Sequence, residues 1–517
     1  MKNLTTTVFM FLCFGLIQAQ TSFFPKSAKE DREKIMSEAY WKIWNPEVQK
    51  RIDQDIETYR KADGELTLTN FAPGTEVTIE QVSHDFIFGA HIFNYNQLGK
   101  TEYNDRYKEL YGTLFNSATV AFYWKTFEMQ PNRPRYKEEY WDTESYWNTV
   151  AKPKEEPHWR RPASDPVIEF CESRGIRIHG HPIIWGNRKW HNPNWIIQNY
   201  MIPEEKAKMD ELVVEYGNLE NYLDSEKYSE IYKELTAEQL EQMFPDLTKK
   251  LKTLFEKRVT ELAEYYGDRV HSWDVVNESA TDHQKGLLVP GSEIAKSHYG
   301  IMPGDYTYEA FKTATASFPE NVLLNINDYN LSQAYIDQTK DLMARGCKVD
   351  IMGSQMHLFN PQQCLDIAAG KEIQTPDHIW GWNERLSQAE LPIHLSEITI
   401  TAPGNDERGR KIQAIITQNL YRLWFSLERM MGITWWNVVD DCGAPGEPTI
   451  SGIFTREMVA KPAYYALDNL INNEWKTNLT AKPDKNGQIK FRGFKGNYRI
   501  TWTDKQGNIQ TKEYYLK

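Results

Sequence analysis

Eight short runs of β-prone residues recur along this chain, and helical stretches separate most of them. The runs lie at about residues 85–92, 115–122, 176–185, 270–276, 322–326, 349–355, 393–398 and 433–439. Among the intervening stretches, "LTKKLKTLFEKRVTELAEYYGDR" is the clearest helix. Leu247, Leu251, Leu254, Val259, Leu262 and Tyr266 recur there at helical spacing, and Gly267 supplies the stop. Eight strand–helix units in series predict an α/β chain closed into a (β/α)8 TIM barrel. An open doubly wound sheet is the runner-up on pattern, but no Gly-rich phosphate loop follows the first run and no P-loop lies elsewhere.

The 517 residues are enough for one barrel and smaller parts around it. Residues 1–20 read as a secretory signal peptide. Lys2 gives a weakly positive start, residues 8–17 form an apolar core too short to span a membrane, and Ala19 is a small residue for cleavage. Cys13 has no lipobox around it, so the expectation is a secreted or periplasmic protein without a membrane span. Residues 21–84 read as a helix at 39–61 and a small β-element with a turn at Pro73-Gly74. Residues 85–472 form the catalytic barrel. Residues 473–517 read as a small antiparallel β-domain, punctuated by Gly487, Gly493, Gly496 and Gly507, and expected to be a structural companion. Two stretches, 136–162 and 194–244, are longer than barrel loops need. Overhang of the active face and peripheral decoration are equally open for them.

A formal charge of −12 without any basic cluster argues against a nucleic-acid partner. Cys171, Cys347, Cys364 and Cys442 are too widely spaced for a disulfide framework or a zinc signature. Aromatic residues reach 13%, and their flat faces are suited to sugar rings.

Barrels of this class carry their chemistry at the C-terminal ends of the strands. The third run ends "GHPIIWGN", with His181 and Trp185, and the fourth ends on Asn277 and Glu278. "NDYN" (327–330) follows the fifth, Gln355 and His357 close the sixth, Glu397 lies in "HLSEIT", and the eighth brings Trp436. Strands four and seven stand nearly opposite in an eight-membered ring, so Glu278 and Glu397 are expected to face each other across the mouth. Glycosidic cleavage needs an acid at the leaving oxygen and a nucleophile or base at the sugar carbon, and two opposed carboxyls supply both. No close ligand pair such as H-E-x-x-H is present, so neither a metal nor a cofactor is expected. The expected partner is a polysaccharide or oligosaccharide substrate.

"WDVVNES" resembles the acid/base motif of glycoside hydrolase family 10, the endo-β-1,4-xylanases. "HLSEIT" resembles that family's nucleophile strand, and "GHPIIW", "NDYN", "GSQMH", "TWWNVVDD" and "KPAYYAL" match its other blocks in order, over roughly residues 86–470. The resemblance implies a retaining mechanism with Glu397 as nucleophile and Glu278 as acid/base. It implies that Asn277 holds a sugar hydroxyl and that Gln355 and His357 support the nucleophile and the sugar. Lys125, His181, Trp185 and Trp436 would line the glycone side, and Tyr329 would lie near the leaving side. The chain also departs from the family. Ala121 and Phe122 stand where a Glu-Asn pair is usual, Gly186 replaces a histidine, and Thr399 replaces an aspartate. These departures predict an apolar wall in the glycone pocket and a looser histidine network beside Glu397. They leave two other readings open: the same mechanism on a different or decorated polysaccharide, or a carbohydrate-binding barrel with lost catalysis.

Overall fold

The computed structural model describes residues 34–72, 74–187, 190–216, 236–297 and 300–517. The signal-peptide reading and Pro73 lie outside the described residues. After β1 (Lys61–Thr67) and β2 (Val77–Gln81), eight parallel strands close on themselves in chain order: β3 (Ile87–His91), β4 (Ser117–Ala121), β5 (Arg177–His181), β7 (Ser272–Asn277), β10 (Leu323–Asp328), β11 (Ile351–Leu358), β12 (Ile393–Ile400) and β13 (Met430–Trp435), which returns to pair with β3. The short β6 (Ile184–Trp185) pairs with the end of β7, and β8 (Ile294–Ser297) and β9 (Gly300–Pro303) form an antiparallel pair of their own. All eight runs read from the sequence are barrel strands, and the open-sheet alternative is excluded by that closure. β3, β4, β7 and β12 are buried along their whole length. This is why they read as continuous apolar runs and not as alternating ones: the barrel interior takes one face and the outer helices the other.

The helix read at 39–61 is two helices, Glu38–Ile43 and Pro46–Tyr59. Pro46 has no N–H for a preceding turn, and Asn45 caps the second helix by accepting from the Val48 N–H at 3.0 Å. Lys61 already belongs to a strand, β1 (Lys61–Thr67). The long helix at Pro245–Tyr266 ends at Gly267, which has φ +53°. Of the 194–244 stretch, residues 217–235 lie outside the described residues. The remainder carries the helices Trp195–Tyr200, Pro203–Tyr216 and Ala237–Met243.

Segments 61–81 and 478–516 share one β-unit. β1 pairs with β15 (Gln488–Phe494), and β2 (Val77–Gln81) lies between β14 (Asn478–Ala481) and β16 (Gly496–Thr503), with β17 (Ile509–Leu516) outermost. Their inner faces form a separate small core of Leu66, Val77, Ile79, Ile489, Phe491, Tyr498, Ile500 and Leu516. Gly64 lets the Phe491 ring lie flat on β1, since a Cβ there would fall 2.6 Å from that ring. The unit meets the barrel at the N-terminal ends of the strands. Asp85, just ahead of β3, donates its N–H to the Lys495 carbonyl and accepts from the Tyr515 hydroxyl at 2.9 Å. This is the face opposite the strand ends that carry Glu278 and Glu397. Among the described residues, Cys171, Cys347, Cys364 and Cys442 are free and buried.

Candidate active site

At the C-terminal ends of the strands a cleft of about 650 Å³ opens. Glu278 and Glu397 both line it, with His181, Trp185, Asn277, Tyr329, Gln355, His357 and Trp436. Lys125 does not. It lies on the short helix Trp124–Phe127, where its backbone N–H donates to the His191 carbonyl.

Strand geometry alone does not let Asn277 and Glu278 share the cleft, because successive side chains of a strand point to opposite faces. Glu278 has φ +56°, in the left-handed region that a non-glycine residue enters at a cost of order 1–3 kcal/mol. This turn breaks the alternation just as β7 ends. Asn277 stays in strand register opposite Asn327, and Glu278 swings into the same opening. The strained turn is held from both sides. The Glu278 N–H donates to the Asn327 carbonyl at 2.8 Å, and the Ala280 N–H donates to Asp328 Oδ2 at 2.8 Å.

One amide network touches both carboxylates. Asn327 Nδ2 lies 2.8 Å from Glu397 Oε1 and 2.8 Å from Asn277 Oδ1. Gln355 Nε2 donates to Glu278 Oε1 at 3.2 Å, and Trp185 Nε1 donates to Glu278 Oε2 at 3.1 Å. A register shift between Ser354 and Gln355 sets Gln355 beside Glu397 and His357 beside Thr399. His357 Nε2 lies 3.4 Å from Glu397 Oε2, and its Nδ1 lies 3.0 Å from the Thr399 hydroxyl. The histidine therefore has a partner where the missing aspartate predicts a loose network. On the other flank, His181 Nε2 is 3.7 Å from Glu397 Oε1 and its Nδ1 is 2.8 Å from Asp274 Oδ2. Asp274 also meets His179 Nε2 at 2.9 Å. Burial alone would raise the Asp274 carboxyl, but the two imidazoles outweigh it and hold it below the carboxylate range. Asp274 so fixes the His181 ring against Glu397, a support on β7 that strand-end reading passes over.

The expected apolar wall at Phe122 is absent. Phe122 is wholly buried on the outer side of the barrel, its ring 4.6 Å from Trp273 and 5.5 Å from Phe127 and Tyr266. The neighbouring Tyr123 lines the cleft instead, 5.5 Å from the His181 ring, with the Arg161 guanidinium over its ring at 3.6 Å from the centroid. Arg161 belongs to the 136–162 stretch, which therefore reaches the mouth. So does Arg160, whose Nη2 donates to Asn437 Oδ1 at 3.0 Å and whose Nη1 is 3.4 Å from cleft-lining Glu447. Sequence reading missed Tyr123, Arg160 and Glu447 as site residues, and it named Asn327 only within the "NDYN" run after the fifth strand, without a role. Among the described residues, no group of three His, Cys, Asp or Glu side chains is placed to hold a metal ion, and no helix is long and apolar enough to cross a membrane.

Asp328 gives the site a pH dependence. Burial pushes its carboxyl up to about 7 and the nearby Glu278 and Asp282 charges add to this, against the pull of the Ala280 and Asn330 N–H groups. An unfolded aspartate titrates at ~3.9. The folded state therefore holds the extra proton between these values. The group's contribution to stability is full below about pH 4 and is lost as the pH rises to about 7. Melting Asp328→Asn beside the wild type at several pH values across this window should show the wild type losing stability relative to the variant. Parallel profiles would refute the assignment.

The profile of Glycosyl hydrolase family 10 matches residues 80–470. The chain is 24% identical over 414 residues to endo-1,4-beta-xylanase C of Paenibacillus barcinonensis, covering 74% of this chain and 32% of that protein. It is 24% identical over 318 residues to exoglucanase XynX of Acetivibrio thermocellus, covering 59% of this chain and 24% of that protein. The chain thus spans under a third of the length of either relative. The crystal structure of native xylanase 10B from Thermotoga maritima superposes with a TM-score of 0.50 at 19% identity, covering 75% of this chain and 96% of that one.

Proposed function

The chain belongs to glycosyl hydrolase family 10, and on that premise we propose that it is a secreted, retaining hydrolase of internal β-1,4 bonds in a plant-type polysaccharide, foremost xylan. The observation that carries this reading is the pair of cleft carboxylates, Glu278 and Glu397, tied to one amide network through Asn327, Asn277 and Gln355. In this reading Glu397 attacks the anomeric carbon, oriented by Asn327 and flanked by His181 and His357. Glu278 protonates the leaving oxygen and then takes a proton from the water that releases the sugar. Asn277 holds a sugar hydroxyl beside them. Relatives bearing the name endo-1,4-beta-xylanase support xylan as the polymer.

A second reading, the same mechanism on a different or decorated polysaccharide, draws on the glycone side. Lys125 is off the cleft wall there, and Tyr123 with Arg161 behind it forms the wall. A panel of plant and algal polysaccharides distinguishes the two. The expected result is a fall in xylan viscosity, with oligosaccharides whose new ends first appear as the β-anomer. Oligosaccharides from another polymer and none from xylan would reject the xylan assignment, and α-anomer products would reject retention.

A further inference from the structure

The helix Pro376–Leu386 follows β11 and forms one end of the cleft. It starts at Thr375, whose hydroxyl accepts from the His378 N–H, with Pro376 at the first helical position. Three of its residues line the cleft: His378, Trp382 and Arg385. Their spacing of four and three residues puts them on one helical face. Trp382 is buried and anchors that face, while His378 and Arg385 are exposed. Among the described residues, no carboxylate lies within ion-pair distance of Arg385 and no aromatic ring lies beneath its guanidinium, so the cation is not spent inside the fold. The cleft's own charges are otherwise carboxylates, Glu278, Glu397 and Glu447.

Two further features mark this end as a sugar site. Phe359 stacks on His357 with ring centroids 4.3 Å apart and, like Tyr329, is an exposed aromatic on the cleft wall. Gln374, just before the helix, lines the cleft at φ +49° and puts a polar side chain on the same wall. Tyr329, Phe359 and the helix come from the units after β10 and β11, so they form one end of the cleft together.

We propose that this end of the cleft binds an anionic sugar through Arg385, the anion being the carboxylate of a uronate branch or a sulfate ester. A guanidinium fork matches either oxyanion with two parallel hydrogen bonds. Its partial exposure to solvent keeps the gain modest and sensitive to salt. This rests on the glycan-hydrolase reading above and names the substrate class of that same cleft.

The test compares wild type, Arg385→Met, Arg385→Lys and Lys371→Met, the last removing an exposed cation paired with Asp366 and off the cleft. Each is assayed on xylotetraose, a glucuronate-branched xylotetraose and a sulfated xylotetraose. The readout is kcat/KM on each anionic substrate divided by that on the neutral one. Arg385→Met should lower this ratio about 10-fold for one anion or both, Arg385→Lys should recover part of it, and Lys371→Met should match wild type. The anion that responds identifies the source. A ratio unmoved by Arg385→Met, or equally moved by Lys371→Met, overturns the proposal. Should the wild type hydrolyse none of the three, the hydrolase reading fails on its own, and calorimetric binding of the same oligosaccharides decides the site. Tighter binding of an anionic one that Arg385→Met abolishes supports it, and equal affinities overturn it.

Discussion

Glu397→Gln should reduce polysaccharide hydrolysis on the order of 10⁴-fold, because no glycosyl–enzyme bond can form on an amide. Glu278→Gln should reduce it about 10²–10⁴-fold, the usual worth of a positioned proton donor. The two differ most on an aryl glycoside with a strongly acidic leaving group. That bond breaks with little proton assistance, so Glu278→Gln should show a burst of released phenol followed by slow turnover, and Glu397→Gln should show neither. Both variants should fold. Asn327 can still donate to the remaining side-chain oxygen at position 397, and one of the two donors to Glu278, Trp185 or Gln355, loses its acceptor. Wild type and both variants equally inactive on every glycan, while one of them still binds, would replace the enzyme by a carbohydrate-binding barrel.

Lys461→Met should destabilise the fold by about 3–5 kcal/mol, the cost of leaving a buried charge without its partner. Lys461 is fully buried and its Nζ lies 2.9 Å from Asp440 Oδ1, which also accepts from the Gly452 N–H at 2.8 Å. Burial lowers the Lys461 pKa and raises that of Asp440, each opposed by the other's charge. Because a well-packed apolar pair can replace a buried ion pair at little cost, Lys461→Met combined with Asp440→Leu should recover part of the loss. Denaturant unfolding checks both. A loss under about 1 kcal/mol for Lys461→Met, or a double variant no better than the single ones, would refute this account.

This pair also explains two blocks of the sequence that looked unrelated. Asp440 is the next-to-last residue of "TWWNVVDD" and Lys461 opens "KPAYYAL"; the loop after β13 folds back so that the two meet. Neither residue announces the other, since a lone aspartate or lysine in sequence reads as a solvated charge. Phe122 gave the opposite difficulty. Its position in the motif suggested a wall of the sugar pocket, but the pleat of β4 sends it outward into the helical layer and leaves Tyr123 at the mouth. The helix carrying His378, Trp382 and Arg385 was not singled out from the sequence. Only the closure of the barrel shows that this face looks into the cleft.

The amino-acid sequence by itself determined the eight strands and the strand-end placement of Glu278 and Glu397. Strand periodicity, turn chemistry and the end of an apolar run are local properties, settled within a few residues. The tertiary structure decided what depends on distant segments meeting. It pairs segments 61–81 and 478–516 in one β-unit beneath the barrel, brings Arg160 and Arg161 of a long loop to the mouth, and holds Glu278 in a left-handed turn against Asn327 and Asp328. That turn is unfavourable for the residue alone. It persists because hydrogen bonds from β10, about fifty residues away in sequence, hold it in place.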